Sequence, residues 1–136
     1  MKRIHLAVIF SAIFVAYPAF AEQTSITPQT QGDVTFVSGG IGINELSQMR
    51  ALQSDYNLSL LFSVSGTGEY LSDVKVVIKD SNNTICLETV ANGPMLFIKL
   101  KPGRYSFQVE NGGSTRTGKV TVAGNKLSKL SFSLPE

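Results

Sequence analysis

Residues 92–111 read NGPMLFIKLKPGRYSFQVEN. Two runs of strand-type residues flank Lys101-Pro102-Gly103-Arg104. Proline at the first central position and glycine at the second is the composition of a type II turn, because glycine accepts a positive φ without steric cost. After the turn the period is two: Tyr105, Phe107 and Val109 share one face, Ser106, Gln108 and Glu110 the other. Before it, Met95, Leu96, Phe97 and Ile98 are apolar on both faces. A strand apolar on both sides is central and covered on both sides. The stretch therefore predicts a hairpin at the core of a β domain.

Outward from this hairpin the same period recurs. Leu58, Leu60, Phe62 and Val64 alternate with Ser59, Leu61 and Ser63; Val74, Val76 and Ile78 alternate with Lys75, Val77 and Lys79. Residues 84–90 form another strand after the turn cluster Asp80-Ser81-Asn82-Asn83. Val120 and Val122, then Leu130, Phe132 and Leu134, complete the set beyond Asn111-Gly112-Gly113-Ser114 and Gly124-Asn125. Seven short strands after residue 56, bounded by turn chemistry, predict an all-β, antiparallel Greek-key sandwich, with a barrel as the competitor. Residues 34–37 add a short earlier strand. Residues 44–55 are the one helix candidate beyond the N-terminal segment: Asn44 can cap it, Glu45 suits its positive end, and Leu46, Met49, Leu52 and Tyr56 make one apolar stripe.

The N-terminal 21 residues read as a signal peptide. A basic Met1-Lys2-Arg3 start precedes an apolar run ended by Pro18, and Ala19-Phe20-Ala21 places small residues where a signal peptidase reads, with cleavage before Glu22. The apolar run is about a dozen residues, short of the roughly 20 a membrane span needs. The expected location is periplasmic or secreted, with no membrane span in the mature chain. Residues 22–33 are polar and without period, and read as a disordered leader to a domain over residues 34–136.

Cleavage changes the charge balance. Lys2 and Arg3 leave, so 10 of the 12 basic residues remain against 10 acidic ones, and the mature chain is neutral. Net charge gives a nucleic-acid partner no support. His5 leaves as well, so the ordinary base of a serine or cysteine nucleophile is missing. The one cysteine, Cys86, cannot pair within the chain; it reads as a small buried hydrophobe, with an intermolecular disulfide as the alternative. Gly39-Gly40-Ile41-Gly42 could hold an anion on backbone N–H groups, but Glu45 stands where a dinucleotide fingerprint needs glycine, so a turn is the better account. Asp80-Ser81-Asn82-Asn83 lacks the glycine and later glutamate of a calcium loop. No cofactor and no metal is expected.

The stretch 70–134, with Val-x-Val-x-Ile-x-Asp at 74–80, Leu-Lys-Pro-Gly-Arg-Tyr-Ser-Phe-x-Val at 100–109 and a closing Lys-Val-Thr-Val and Leu-x-Phe-x-Leu, resembles the carboxypeptidase regulatory-like domain. Residues 36–42, with Met49-Arg50-Ala51 and Tyr56-Asn57-Leu58, look like small exported bacterial proteins that carry this domain alone. The resemblance implies a prealbumin-like (transthyretin-like) sandwich of seven strands and a module without catalytic activity. The zinc-ligating histidines of the metallocarboxypeptidases have no counterpart here. Nor do the histidines and Tyr-Arg-Gly-Ser end of the transthyretin-like hydrolase, since this chain ends Ser-Leu-Pro-Glu. Fold alone does not name an activity.

Four apolar residues fall on nominally outer faces: Leu61, Val77, Met95 and Phe97. Exposed together they would form a partner-binding patch. The helix is the obvious cover, with Arg50 beside its stripe. The resulting expectation is an exported, non-catalytic module that binds a protein partner through a sheet edge or the helix region. A carbohydrate or cell-wall binding module is the alternative, weakened by the absence of tryptophan, since sugar platforms favour stacked aromatics.

Overall fold

The computed structural model describes residues 26–135. The signal-peptide reading of residues 1–21 falls outside them. Among the described residues there are nine strands and one α-helix: β1 (Gln29–Gln31), β2 (Val34–Gly39), α1 (Gly42–Leu52) with a 3₁₀ turn over Gln53–Asp55, β3 (Leu58–Val64), β4 (Val74–Asp80), β5 (Ile85–Ala91), β6 (Met95–Lys99), β7 (Gly103–Asn111), β8 (Ser114–Val122) and β9 (Ser128–Leu134). They form two sheets, one of order β1-β2-β6-β3-β9 and one of order β5-β4-β7-β8. Strand pairing is antiparallel except between β3 and β9, which run parallel in register Leu58↔Ser128 through Val64↔Leu134. The protein is an all-β sandwich with a helix on one face.

The period-two residues meet between the sheets. Leu58, Leu60 and Phe62 of β3, Val74, Val76 and Ile78 of β4, Leu96 and Ile98 of β6, Phe107 and Val109 of β7 and Leu134 of β9 belong to one buried cluster. Each such side chain removed from water stabilises the fold by about 1.5–3 kcal/mol. Phe132 stacks on Phe62 at 6.3 Å and meets Phe107 edge-on at 6.3 Å, so the two layers are joined by aromatic contact as well as area.

Several expectations need correction. The central hairpin does not exist. β6 pairs with β2 and β3, whereas β7 pairs with β4 and β8 in the other sheet. Lys101-Pro102 is an arch between layers, and Gly103 is the first residue of β7 and is not among the positive-φ glycines. Alternation cannot distinguish a tight turn from an arch, because both need the same chain-reversing residues. The arch is held by the Tyr105 hydroxyl, which donates to Lys101 O at 2.6 Å. The two-sided burial of β6 does hold: Leu96 and Ile98 face the sandwich interior, and Phe97 faces the helix.

The strand count is nine where seven were expected; β3 to β9 supply seven, and β1 and β2 add two before the helix. β1 lies within the segment read as a disordered leader. It pairs with β2 through Gln29↔Phe36 and Gln31↔Val34, so residues 29–31 are part of the sheet. Its three residues are all exposed, which left no burial pattern to read.

The helix begins at Gly42, two residues before Asn44, and no side chain caps it. Gly40 (φ 104°) and Gly42 (φ 78°) turn the chain off the end of β2, a path that costs glycine little. Glu45 Oε1 accepts the Gly40 N–H at 3.3 Å, so the anion at this glycine-rich turn is the chain's own carboxylate.

Candidate functional site

The outer face of the larger sheet is arranged in rows set by strand register. One row runs Val37, Phe97, Ser59, Lys129; the next runs Gly39, Met95, Leu61, Ser131. Neighbouring strands lie about 4.8 Å apart. A helix with its side chains is about 10–12 Å across and covers little more than two strands.

Helix α1 lies over β2 and β6. Met49 and Tyr56 pack with Val37 and Phe97 in a second buried cluster, flanked by half-buried Ile26, Leu52 and Met95. Phe97 is 2% exposed and its ring lies 6.1 Å from that of Tyr56. Burial, and then the neighbouring Asp55 carboxylate, push the Tyr56 hydroxyl above the usual phenol range, so it stays neutral and packs as an apolar ring. Ile26 adds a tether: its N–H donates to Gln48 Oε1 at 3.1 Å.

Beyond the helix, Ser59 of β3 is buried, Leu61 half-buried, and Lys129 and Ser131 of β9 exposed, and a groove of about 260 Å³ remains there. Its floor is Phe97, Met95, Leu61 and Ser59; Arg50 and Gln53 form the helix wall, Lys129 and Ser131 the β9 wall. Arg50 and Lys129 are exposed, and among the described residues neither has an ion-pair partner. An apolar floor between two uncommitted cations can hold an apolar side chain and attract carboxylates flanking it.

Four of the five residues singled out in the sequence therefore meet: Arg50, Leu61, Met95 and Phe97 line this groove. Phe97 is its buried floor and contributes no exposed surface beyond that. Val77 does not join them. It lies on the outward face of β4 in the other sheet, opposite Glu88 and Gln108 and beside the Lys75–Glu88 ion pair at 3.6 Å. Period-two reading tells which side of a strand a residue takes, not which layer the strand joins. Gln53, Ser59, Lys129 and Ser131 were missed; polar residues on a strand's outer side carry no signal until the register places them beside an apolar floor.

A larger basin of about 520 Å³ lies at one end of the smaller sheet, lined by Asp80, Arg104, Ser106, Lys119 and Thr121 among others. Its carboxylate is committed to local structure: Asp80 Oδ1 accepts N–H bonds from Asn82 at 2.9 Å and Thr84 at 3.0 Å, which closes the β4–β5 turn. Nearby Cys86 is a half-buried free thiol whose Sγ donates to Thr84 O at 3.6 Å. Burial, and then the Asp80 charge, push this thiol up from the ordinary range, which disfavours the thiolate. Among the described residues no group of three or more His, Cys, Asp or Glu could hold a metal ion, and no helix is long and apolar enough to cross a membrane.

No family model matches the chain, and no curated protein does. A solved structure described as "Crystal Structure of S.CueP" is 14% identical, with a TM-score of 0.42, over 57% of this chain and 61% of that one. The chain thus spans about three fifths of that protein's length.

Proposed function

We propose that the protein is an exported, non-catalytic interaction module that binds another protein through the groove between α1 and β9. The observation that carries this reading is the pair of open rows: Met95 and Leu61 remain partly uncovered beside a buried Phe97, with Arg50 and Lys129 uncommitted on either side. Export rests on the basic start, apolar run and Ala-Phe-Ala of residues 1–21. A non-catalytic role is supported by the lack of histidine after residue 21 and by a thiol held in its neutral form. The Greek-key, prealbumin-like assignment and the resemblance to carboxypeptidase regulatory-like domains are supported by the seven strands from β3 to β9 and by the two-layer packing around β6.

The test is site-specific photo-crosslinking in the periplasm. A probe at Ser131, in the groove wall, should give a discrete adduct with a partner protein. A probe at Thr117, on the exposed side of β8, should not. Leu61→Asp should abolish the Ser131 adduct by placing a charge on the apolar floor. Equal labelling from both positions, or an adduct indifferent to Leu61→Asp, would remove the groove from consideration.

A further inference from the structure

The groove opens onto a strand edge whose hydrogen-bonding groups can be assigned one by one. Ser128 N–H donates to Asn57 O at 3.0 Å, and Leu134 O accepts from Ser65 N–H at 2.8 Å, both toward β3. In a strand the N–H and C=O of one residue point the same way and alternate between neighbours. Ser128, Leu130, Phe132 and Leu134 therefore bond to β3, while Lys129, Ser131 and Ser133 present theirs at the edge. Arg116 Nε donates to Ser133 O at 3.2 Å, which agrees with this assignment and closes that end. The backbone groups of Lys129 and Ser131 are left, on the two β9 residues whose side chains form the groove wall.

Two other edges, β1 and β5, are blunted. β1 has three residues, all exposed. On β5, Gln31 Oε1 accepts the Glu88 N–H at 2.7 Å and Gln31 Nε2 donates to Glu88 O at 3.2 Å, so one amide side chain occupies the place of a strand. The first half of β9 has no such plug and is guarded only by the charge of Lys129. A lysine on an edge deters indiscriminate pairing. The same charge selects a strand that carries acid.

We infer that the partner segment is an extended stretch whose groove-facing positions, every second residue, carry acidic and apolar side chains in turn, and which adds to β9 as a further strand at Lys129 and Ser131. Backbone pairing with these two residues supplies the docking; on the face that looks over the groove, an apolar side chain stands beside Ser131 and leans toward Leu61, and a carboxylate two residues away stands beside Lys129 on the side of Arg50. This rests on the groove reading above and adds the chemistry and conformation of what enters it.

The probe is the full mature chain extended after Glu136 by a flexible linker and a Glu-Thr-Val-Thr-Glu-Thr-Val segment, which sets glutamate and valine in turn along one face. A short tether supplies an effective concentration on the order of millimolar, so weak intrinsic affinity does not hide the contact. Amide hydrogen exchange at Lys129 and Ser131 should slow by about tenfold or more relative to the unextended chain. A control segment with lysine in place of each glutamate should leave both amides unchanged, and Arg50→Glu with Lys129→Glu should reverse the preference between the two segments. Unprotected amides with the acidic segment overturn strand addition, whatever the Leu61 and Met95 methyl signals do; the groove reading falls separately, on the crosslinking result. Equal protection by both segments overturns the acidic selectivity. Concentration-dependent protection of the same amides in the unextended chain would give the edge to a second copy and overturn the proposal.

Discussion

Asn57 offers the sharpest check on the packing argument. Its side chain is 7% exposed and behaves as an extra piece of backbone: Nδ2 donates to Leu100 O at 2.6 Å, and Oδ1 accepts Leu100 N–H at 2.9 Å. Its own N–H donates to Ile98 O at 3.2 Å, and its carbonyl accepts from Ser128. One residue thereby ties the starts of β3 and β9 to the end of β6, where the chain leaves for the other layer. Asn57→Ala removes two bonds worth about 1 kcal/mol each and leaves the N–H and C=O of Leu100 unpaired at a buried position, which costs about 1–3 kcal/mol more. The expected loss is about 3–5 kcal/mol, or about 12–20 °C in melting temperature for a domain of this size.

Asn57→Asp separates hydrogen bonding from volume. The carboxylate keeps the bond from Leu100 N–H but opposes the Leu100 carbonyl, so near neutral pH it should be at least as damaging as alanine. Protonation restores a donor. Burial and the facing carbonyl hold this carboxyl above the ordinary value of about 3.9 in the folded state. A raised folded-state pKa means that the stabilisation is fully present below the unfolded value and is lost as pH rises through the folded one. Urea denaturation of the Asp and Ala variants side by side cancels the titration of the native carboxylates. The aspartate variant should gain on the alanine variant as pH falls. Wild-type stability for Asn57→Ala, or a pH-independent difference between the two variants, would refute the argument.

Three further outcomes follow from contacts elsewhere. Gly93→Ala places a Cβ against the Gly39 carbonyl and within 2.7 Å of its Cα, backbone that cannot swing away, and should cost about 3 kcal/mol or more in thermal denaturation; a melting temperature unchanged from wild type would show that β2 gives way freely. Tyr105→Phe removes the hydroxyl bond across the arch and should cost about 1 kcal/mol in urea titration, with no change in groove crosslinking. Cys86 should react with iodoacetamide more slowly than a free cysteine at pH 8, accelerate as pH rises further, and react faster in Asp80→Asn; a rate equal to the free thiol contradicts the shielding by burial and Asp80.

Much of the sandwich was legible because its strands bury one side each. Leu58, Leu60 and Phe62, or Tyr105, Phe107 and Val109, report their inner face by period alone. The two-sided burial of β6 foretold a cover, and the Met49 and Tyr56 stripe foretold the helix that supplies it. Layer assignment was not legible. Pro102-Gly103 serves equally for a turn or an arch, so the sequence pattern sets β6 and β7 side by side and groups Val77 with residues that lie on the outer face of the other sheet. The groove residues contributed by β9 depend on a parallel pairing 70 residues away in sequence, which no local pattern encodes. Asn57 and Gln31 act through side-chain amides that imitate backbone, and their neighbours in sequence give no hint of it.

The plug formed by Gln31 also ties solubility to a short polar segment. β5 carries Ile85 and Val90 at 51% and 50% exposure, on a strand whose outer groups are satisfied at Glu88 by one amide from β1. Proteolysis between Gly32 and Val34 would free that amide while leaving the hydrophobic layers between the sheets untouched. The clipped protein would keep its shape and yet expose an unpaired, partly apolar border, so that its first failure would be self-association rather than unfolding.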